Sequence, residues 1–327
     1  MEHRPQEIKQ LEATGLKTNE KLHIGSPLAV TENINRRGKY GMRQKRGNMA
    51  QLLSAGSARL FKNKLFWLGN LLMAGFFVFL IIQNYRGTLK HPDIYYYTAD
   101  TLMFAPFQII GIFASCFTGM FLGTEYSDGT LRNKLVIGRT RTEVYLSNLI
   151  LSFLASLFVS MVSILVTFAL GIALFGAPMF AATKLLEEFM LGVLMLAAFA
   201  GIFTLISMLI SSRSISSVVC ILFFFLLLIA ATYINSRLDA REFVSPNYIL
   251  SVDGVIQPSD PIPNPLYLQG MKRKIYEFFQ ALLPTAQGSL LMAHAAERPL
   301  VMAACSLGIM ICTTVSGIFH FNRKNLN

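Results

Sequence analysis

Charged residues are scarce in this sequence. Asp, Glu, Lys and Arg make up 14% of its 327 residues, whereas soluble globular proteins carry about 25%. Several windows of about 20 residues contain no charged side chain, and an α-helix of that length can cross a lipid bilayer. The mean hydropathy, +0.49, agrees with this. The shortage of charge excludes an ordinary soluble domain and indicates an integral membrane protein.

The chain also lacks the motifs of several enzyme classes. Its 4 cysteines form no CxxC pair and its 5 histidines are scattered, so we expect neither a disulfide framework nor a metal site. It has no GxxxxGK[ST] loop for ATP and no GxSxG nucleophile elbow. We therefore expect no catalytic residue, metal or cofactor in this chain. Since the spans also lack paired buried charges, the energy for any uphill transport must come from another subunit.

Six apolar runs are long enough to span a membrane. They cover residues 65–82, 102–122, 145–175, 189–210, 215–234 and 300–319 approximately. The third run, of about 31 residues, must tilt or project beyond the hydrocarbon. An even number of spans places both termini on the same side of the membrane.

The distribution of Lys and Arg predicts which side that is, because positive residues near span ends favour the cytoplasm. One side carries Lys45, Arg46, Arg59, Lys62, Lys64, Arg132, Lys134, Arg139, Arg141, Arg213, Arg323 and Lys324. The other side carries only Arg86, Lys90, Lys184, Arg237, Arg241 and Arg298. We therefore expect both termini and the loop after the second span in the cytoplasm. The net charge of +11 follows this membrane topology, so we expect no nucleic-acid partner.

Two segments outside the spans have helical periodicity. Residues 1–47 form a polar tail that we expect to be disordered, and residues 48–64 have the pattern of an amphipathic helix on the inner membrane surface. Residues 268–282 repeat apolar side chains at helical spacing until Pro284, and a short apolar piece follows at 289–296. We expect one or two short helices there, either capping the outer mouth or lying flat on the outer leaflet.

Small and hydroxyl residues line one face of two spans. The second span carries Gly111, Ser115 and Gly119, and the third carries Ser152, Ser156, Ser160, Ser163 and Thr167. Such faces either let helices pack closely or line a polar path for a substrate. Packing is the simpler interpretation, and both hold if the path forms only when the packed faces separate.

Two adjacent acidic residues, Glu187 and Glu188, begin the fourth span beside Lys184. They either contact a cation or a substrate at an outer gate or simply start a helix in solvent. The second interpretation is the simpler one.

The loop after the second span carries the most distinctive motif, GTEYSDGTLR at 123–132. Its Asp128-Gly129 pair is typical of a turn. With six spans, the basic amphipathic helix at the start and the basic C-terminal tail, it resembles the permeases of ABC transporters of the ABC-2 type, over about residues 48–327. The fold that this resemblance implies is all-α and integral to the membrane, with an N-terminal interfacial helix and short outer helices before the sixth span.

In that family the loop after the second span forms a cytoplasmic coupling helix that docks on an ATPase. The resemblance implies these docking residues: Glu125, Tyr126, Asp128, Gly129, Thr130 and Arg132. Residues 140–143 match a capping box, which would start the third span rigidly.

The resemblance also implies the partners: two copies of a cytoplasmic ATPase that binds ATP and Mg²⁺, a second permease subunit, identical or not, and membrane lipids. We expect an exporter of a peptide, drug-like or lipid-like molecule in a bacterial plasma membrane. The alternative is a membrane sensor or assembly subunit that transports nothing and signals through its cytoplasmic loop.

Overall fold

The structure is a computed structural model that describes residues 49–91, 97–244, 248–250, 256–258 and 261–324. The helices of these ranges are α1 (Met49–Lys62), α2 (Lys64–Lys90), α3 (Ala105–Ser127), α4 (Thr130–Val136), α5 (Arg141–Phe175), α6 (Ala182–Leu209), α7 (Arg213–Leu238), α8 (Gly270–Leu282), α9 (Pro284–Met292) and α10 (Pro299–Arg323). The predicted tail, residues 1–47, lies outside the described residues.

Six of these helices, α2, α3, α5, α6, α7 and α10, are long and apolar enough to cross a membrane. The prediction of an all-α protein with six spans is confirmed, and the chain is a multi-pass membrane protein. The helices extend beyond the apolar runs: α2 continues to Lys90, and α5 reaches 35 residues. Polar residues at the ends of a span stay helical because the backbone hydrogen bonds continue past the hydrocarbon.

Local sequence signals mark where several helices begin. Asn63 caps α2 by accepting a hydrogen bond from the Leu65 N–H at 2.9 Å. Thr140 and Glu143 form the predicted capping box at the start of α5. Pro284 and Pro299 each occupy a first-turn position, where the missing N–H costs nothing. Pro284 also separates α8 from α9, as its position in the sequence predicts.

Four short strands precede α8, and the sequence analysis did not predict them. Strand β1 (Phe243–Val244) pairs antiparallel with β4 (Ile262–Pro263), and β2 (Tyr248–Leu250) pairs antiparallel with β3 (Ile256–Pro258). Pro258 of β3 and Pro263 of β4 are tolerated because each sheet has only two strands, so that every strand is an edge strand. Strands of two or three residues are too short for an alternating pattern to be visible in the sequence.

Helix α3 is the most enclosed span, whereas α2, α7 and α10 are the least buried. The core around α3 is rich in phenylalanine, and Phe104, Phe107, Phe199, Phe203 and Phe224 are fully buried there. We call the end of the bundle with α1, α4 and residue 324 the α4 end. The opposite end, with residues 97–104, α8 and α9, is the α9 end.

Candidate functional site

Helix α4 follows α3 after a tight turn. Helix α3 ends at Ser127, Asp128 is its C-cap, and Gly129 adopts a left-handed conformation (φ 65°) before α4 begins at Thr130. Only glycine takes this conformation without strain, and the space around Gly129 is open, so the backbone alone explains the residue. The predicted turn therefore becomes a reversal that holds a separate helix of 7 residues against the bundle.

The carboxylate of Glu125, in the last turn of α3, connects four helices. Its side chain is fully buried, with 0% exposure. The Oε1 atom lies 2.7 Å from Arg59 Nη2 of α1 and 2.5 Å from Lys134 Nζ of α4, and Oε2 accepts a hydrogen bond from Asn148 Nδ2 of α5 at 2.8 Å. We call Glu125, Arg59, Lys134 and Asn148 the Glu125 cluster.

Two further contacts hold α1 in place beside this cluster. The guanidinium of Arg59 stacks on the Phe121 ring, 4.0 Å from its centroid, and Arg139 Nη2 donates to Gln51 Oε1 at 2.7 Å. On the apolar face of α1, Gly56 lies close against Leu151 of α5, with Leu52 and Leu60 also buried. Through Glu125, α4 is therefore linked to α1 by a charge contact and to α5 by an amide hydrogen bond.

The structure divides the six predicted docking residues into two groups. Glu125 is enclosed, and Tyr126 is half-buried, with its hydroxyl donating to the Met208 carbonyl at the end of α6. Both side chains are therefore engaged within the chain. Asp128 and Arg132 are exposed, and Gly129 and Thr130 are partly exposed on the turn between α3 and α4.

Sequence reasoning missed the two most exposed apolar side chains of this region, Val136 and Ile137, each 79% exposed. Leu131 and Leu135 of α4 face the bundle, so the residue after Leu135 cannot do so on a helix. Three successive apolar residues at 135–137 in a polar loop were the available signal. Together with Asp128 and Arg132, Val136 and Ile137 form what we call the α4 surface.

The end of α10 is tied to the same region. Arg141 Nη1 donates to the carbonyls of Phe321 at 2.9 Å, Asn322 at 3.1 Å and Lys324 at 2.5 Å, which satisfies acceptors that a helix C-terminus leaves open. Lys324 Nζ donates to the Met208 and Leu209 carbonyls at 3.1 and 2.9 Å, and burial lowers the pKa of this amine. The ends of α3, α6 and α10 and the start of α5 are thus locked together.

The glycine face of α3 packs against α7. A Cβ on Gly119 would lie 2.7 Å from the Ser217 Cα, and one on Gly123 would lie 2.7 Å from the Arg213 Cα. Gly111 faces the Phe224 ring, and the buried Ser115 hydroxyl donates to the Ile112 carbonyl. These residues bring two helix backbones into close contact within the chain.

The hydroxyl face of α5 is enclosed as well. All five predicted residues are buried: Ser152, Ser156, Ser160, Ser163 and Thr167. Thr167 donates to the Met103 carbonyl at 3.1 Å, and Ser156 to the Ser152 carbonyl at 3.1 Å. The hydroxyls of Ser152, Ser160 and Ser163 have no hydrogen-bond partner among the described residues. The face therefore lies in the helix-packed interior.

The two acidic residues of α6 have opposite environments. Glu187 is exposed, but Glu188 is buried, so the prediction of a solvated helix start was wrong for Glu188. Its Oε2 lies 2.6 Å from His294 Nδ1, because the turn after α9 folds back over α6. Glu125 and Glu188 are thus buried acidic side chains of two spans, and their basic partners lie outside the spans: Arg59 and Lys134 for Glu125, and His294 for Glu188.

Geometry alone defines a class for this protein: a multi-pass helical membrane protein with a short, firmly attached helix after its second span. A sequence model of the ABC-2 family transporter protein family matches residues 57–231, just over half of the chain. The chain belongs to this family and is the membrane subunit of a transporter. Membership implies an ATPase partner and a subunit that is not itself catalytic. No curated protein matches the chain by sequence.

Proposed function

We propose that the chain is the permease subunit of an ABC exporter and that the α4 surface docks on its ATPase. The observation that carries the proposal is the exposure of Val136, the last residue of α4, and of its C-cap Ile137, while the other face of α4 is anchored by Leu131. Large apolar side chains this exposed and flanked by charged residues are typical of a protein interface.

The charges around the apolar pair favour a partner of mixed polarity. Asp128, the C-cap of α3, and Arg132, in the first turn of α4, are both exposed on the same short segment as the apolar pair. A groove with an apolar floor and one group of each sign at its rim would match this surface. In the proposed complex Glu125 contacts no partner residue, and it instead fixes the angle of α4.

The Glu125 cluster and Arg141 provide the route by which docking would move the spans. ATP and Mg²⁺, bound by two ATPase copies, would bring the α4 helices of two permease subunits together. Each α4 would then displace α5, which begins at the capping box of Thr140 and Glu143, and it would displace α1 through Arg59. Because Arg141 holds the end of α10, that helix would move with α5. The substrate pathway, open to one side of the membrane, would then close there and open to the other side.

The location follows from the same proposal. We propose that the α4 end faces the cytoplasm of a bacterial cell and that both termini lie there, since an ATPase must reach α4. The cargo would be a peptide, a drug-like amphiphile or a lipid-like molecule, in keeping with the apolar, aromatic-rich spans. The second permease subunit is identical or a related chain.

Co-purification tests the docking. The tagged chain, its Ile137→Asp variant and the matched Ile137→Leu variant are expressed in the native host and isolated in detergent, and bound P-loop ATPase is measured by mass spectrometry. We expect Ile137→Asp to lose about tenfold or more of the ATPase, which corresponds to about 1.4 kcal/mol of binding. Ile137→Leu should retain it. Equal ATPase recovery from all three, or recovery of a signalling protein instead, would contradict the proposal.

A further inference from the structure

At the α9 end, acidic and basic side chains from distant parts of the sequence are buried together. The side chains of His294, in the turn after α9, and Glu188, in α6, are 4% and 2% exposed. His294 Nδ1 lies 2.6 Å from Glu188 Oε2, and His294 Nε2 lies 2.8 Å from the Asp100 carbonyl oxygen. Aromatic rings cover the imidazole, since the Phe180 and Phe104 centroids lie 4.5 and 5.7 Å from its own.

This arrangement determines how many protons the pair must hold. The Asp100 carbonyl can only accept, so Nε2 must carry a hydrogen. The contact between Nδ1 and the Glu188 carboxylate then needs one more proton, either on the imidazole or on the carboxyl group. Both forms contain the same number of protons. If that proton is lost, a lone pair faces a carboxylate, and one of the two hydrogen bonds cannot form.

The neighbouring charges support retention of the proton. Burial lowers the pKa of His294, but the bonds to Glu188 and to the Asp100 carbonyl outweigh burial and raise it above its usual 6.5. Among the residues that the structure describes, the other ionisable groups in contact with this region are Lys184 of α6, whose Nζ donates to the His294 carbonyl at 3.0 Å, and the Asp100 carboxylate.

The Asp100 carboxylate does not compete for this proton in the neutral range. Burial raises its pKa, but hydrogen bonds from the Phe180 N–H, the Thr98 hydroxyl and the Met179 N–H outweigh burial and lower it. It therefore stays ionised and holds the loop between α5 and α6 against residues 98–100.

We infer that Glu188 and His294 form a proton-binding latch. The latch holds the turn after α9 against α6 and against residues 98–100, and this turn is released when the shared proton is lost. His294 also has a left-handed backbone (φ 53°), uncommon for a residue other than glycine, which the contacts of the closed turn must hold. Glu188 Oε1 has no hydrogen-bond partner among the described residues, so this carboxylate is held mainly by the hydrogen bond between its Oε2 and His294 Nδ1.

The direction of the pH dependence follows from linkage. A histidine whose folded-state pKa is raised stabilises the closed turn fully below its ordinary value of 6.5. That stabilisation is lost as pH rises through the folded-state pKa. At pH values between the ordinary histidine pKa of 6.5 and the higher folded-state pKa, the open fraction should rise by up to about tenfold per pH unit. The reason is that one proton is released on opening.

Hydrogen–deuterium exchange on the purified full chain tests the latch, with pH as the only condition that is varied. Exchange of the segment 284–298 is followed from pH 5.5 to 9 and corrected for intrinsic chemical exchange. We expect protection of this segment to fall with rising pH, while the buried centre of α3 keeps its protection. Protection of 284–298 that does not change with pH would overturn the inference, and this outcome needs no variant.

Variants identify the groups responsible. His294→Gln and Glu188→Gln should each remove the pH dependence of the segment. The controls His91→Gln and Glu187→Gln, which alter exposed residues, should keep it. If His294→Gln lowers protection equally at every pH and keeps the wild-type slope, the histidine is only structural and the latch is wrong. The test measures opening rather than transport, so it is independent of whether the ATPase docking holds.

Discussion

At the residue scale, Glu125 shows how one buried carboxylate can organise a region that the sequence presents as a loop. The sequence marks residues 123–132 as distinctive, and the resemblance to ABC-2 permeases implies a partner-facing Glu125. The carboxylate is enclosed because Arg59 approaches it from α1 and Asn148 from α5. A single sequence does not reveal such pairings, since each partner is one of many cations or amides at a compatible membrane depth.

Replacing Glu125 by Gln should destabilise the fold. The substitution leaves Arg59 and Lys134 close together without a counter-charge. Removal of one member of a buried ion pair costs about 3–5 kcal/mol. We expect about 2–3 kcal/mol here, because the side chains of Arg59 and Lys134 are 31% and 18% exposed and water screens them. Thermal unfolding in a single detergent measures this loss.

The control for that experiment is Glu187→Gln, which neutralises an exposed glutamate and should change stability by less than about 0.5 kcal/mol. If Glu125→Gln unfolds at the wild-type temperature, the cluster contributes nothing to the fold. Glu125 would then be available for a role at the partner surface.

At the element scale, the spans were predictable and their neighbours were not. Apolar runs predict six helices because hydrocarbon requires every backbone group to be bonded within the helix. The start of α5 was also visible, since Thr140 and Glu143 act locally. The contact of α3 with α7, and the fold-back of the turn after α9 onto α6, depend on packing between distant segments, which periodicity does not encode.

Close packing of α3 on α7 predicts different outcomes for two glycine substitutions. In Gly123→Ala the new methyl group would meet backbone of Arg213, so we expect a loss of about 1–3 kcal/mol. Gly75→Ala, in α2, meets nothing within 4 Å, and it should be neutral or stabilising by about 0.5–1 kcal/mol. Thermal unfolding of both variants checks the contrast. Equal melting temperatures would mean that α3 and α7 do not pack this closely.

At the scale of the whole molecule, the two ends of the bundle differ in the interactions that hold their helices and turns together. At the α4 end, Glu125, Arg141 and Lys324 link α1, α4, α5, α6 and α10 through charges and helix ends. At the α9 end, closure depends on a carboxylate and a histidine that share a proton. With the orientation proposed above, this difference suits a transporter whose ATPase drives the α4 end while the pH at the outer face influences the α9 end.

Direct contact between α4 and an ATPase is the central claim, and site-specific photo-crosslinking in the native host tests it most directly. In one variant of the chain a photoreactive residue replaces Arg132 on α4. In a second variant it replaces the exposed Met179 near the α9 end. The account predicts that position 132 crosslinks to a P-loop ATPase and that position 179 does not. Crosslinking of position 132 only to lipid or to unrelated proteins, or equal ATPase capture from both positions, would contradict it.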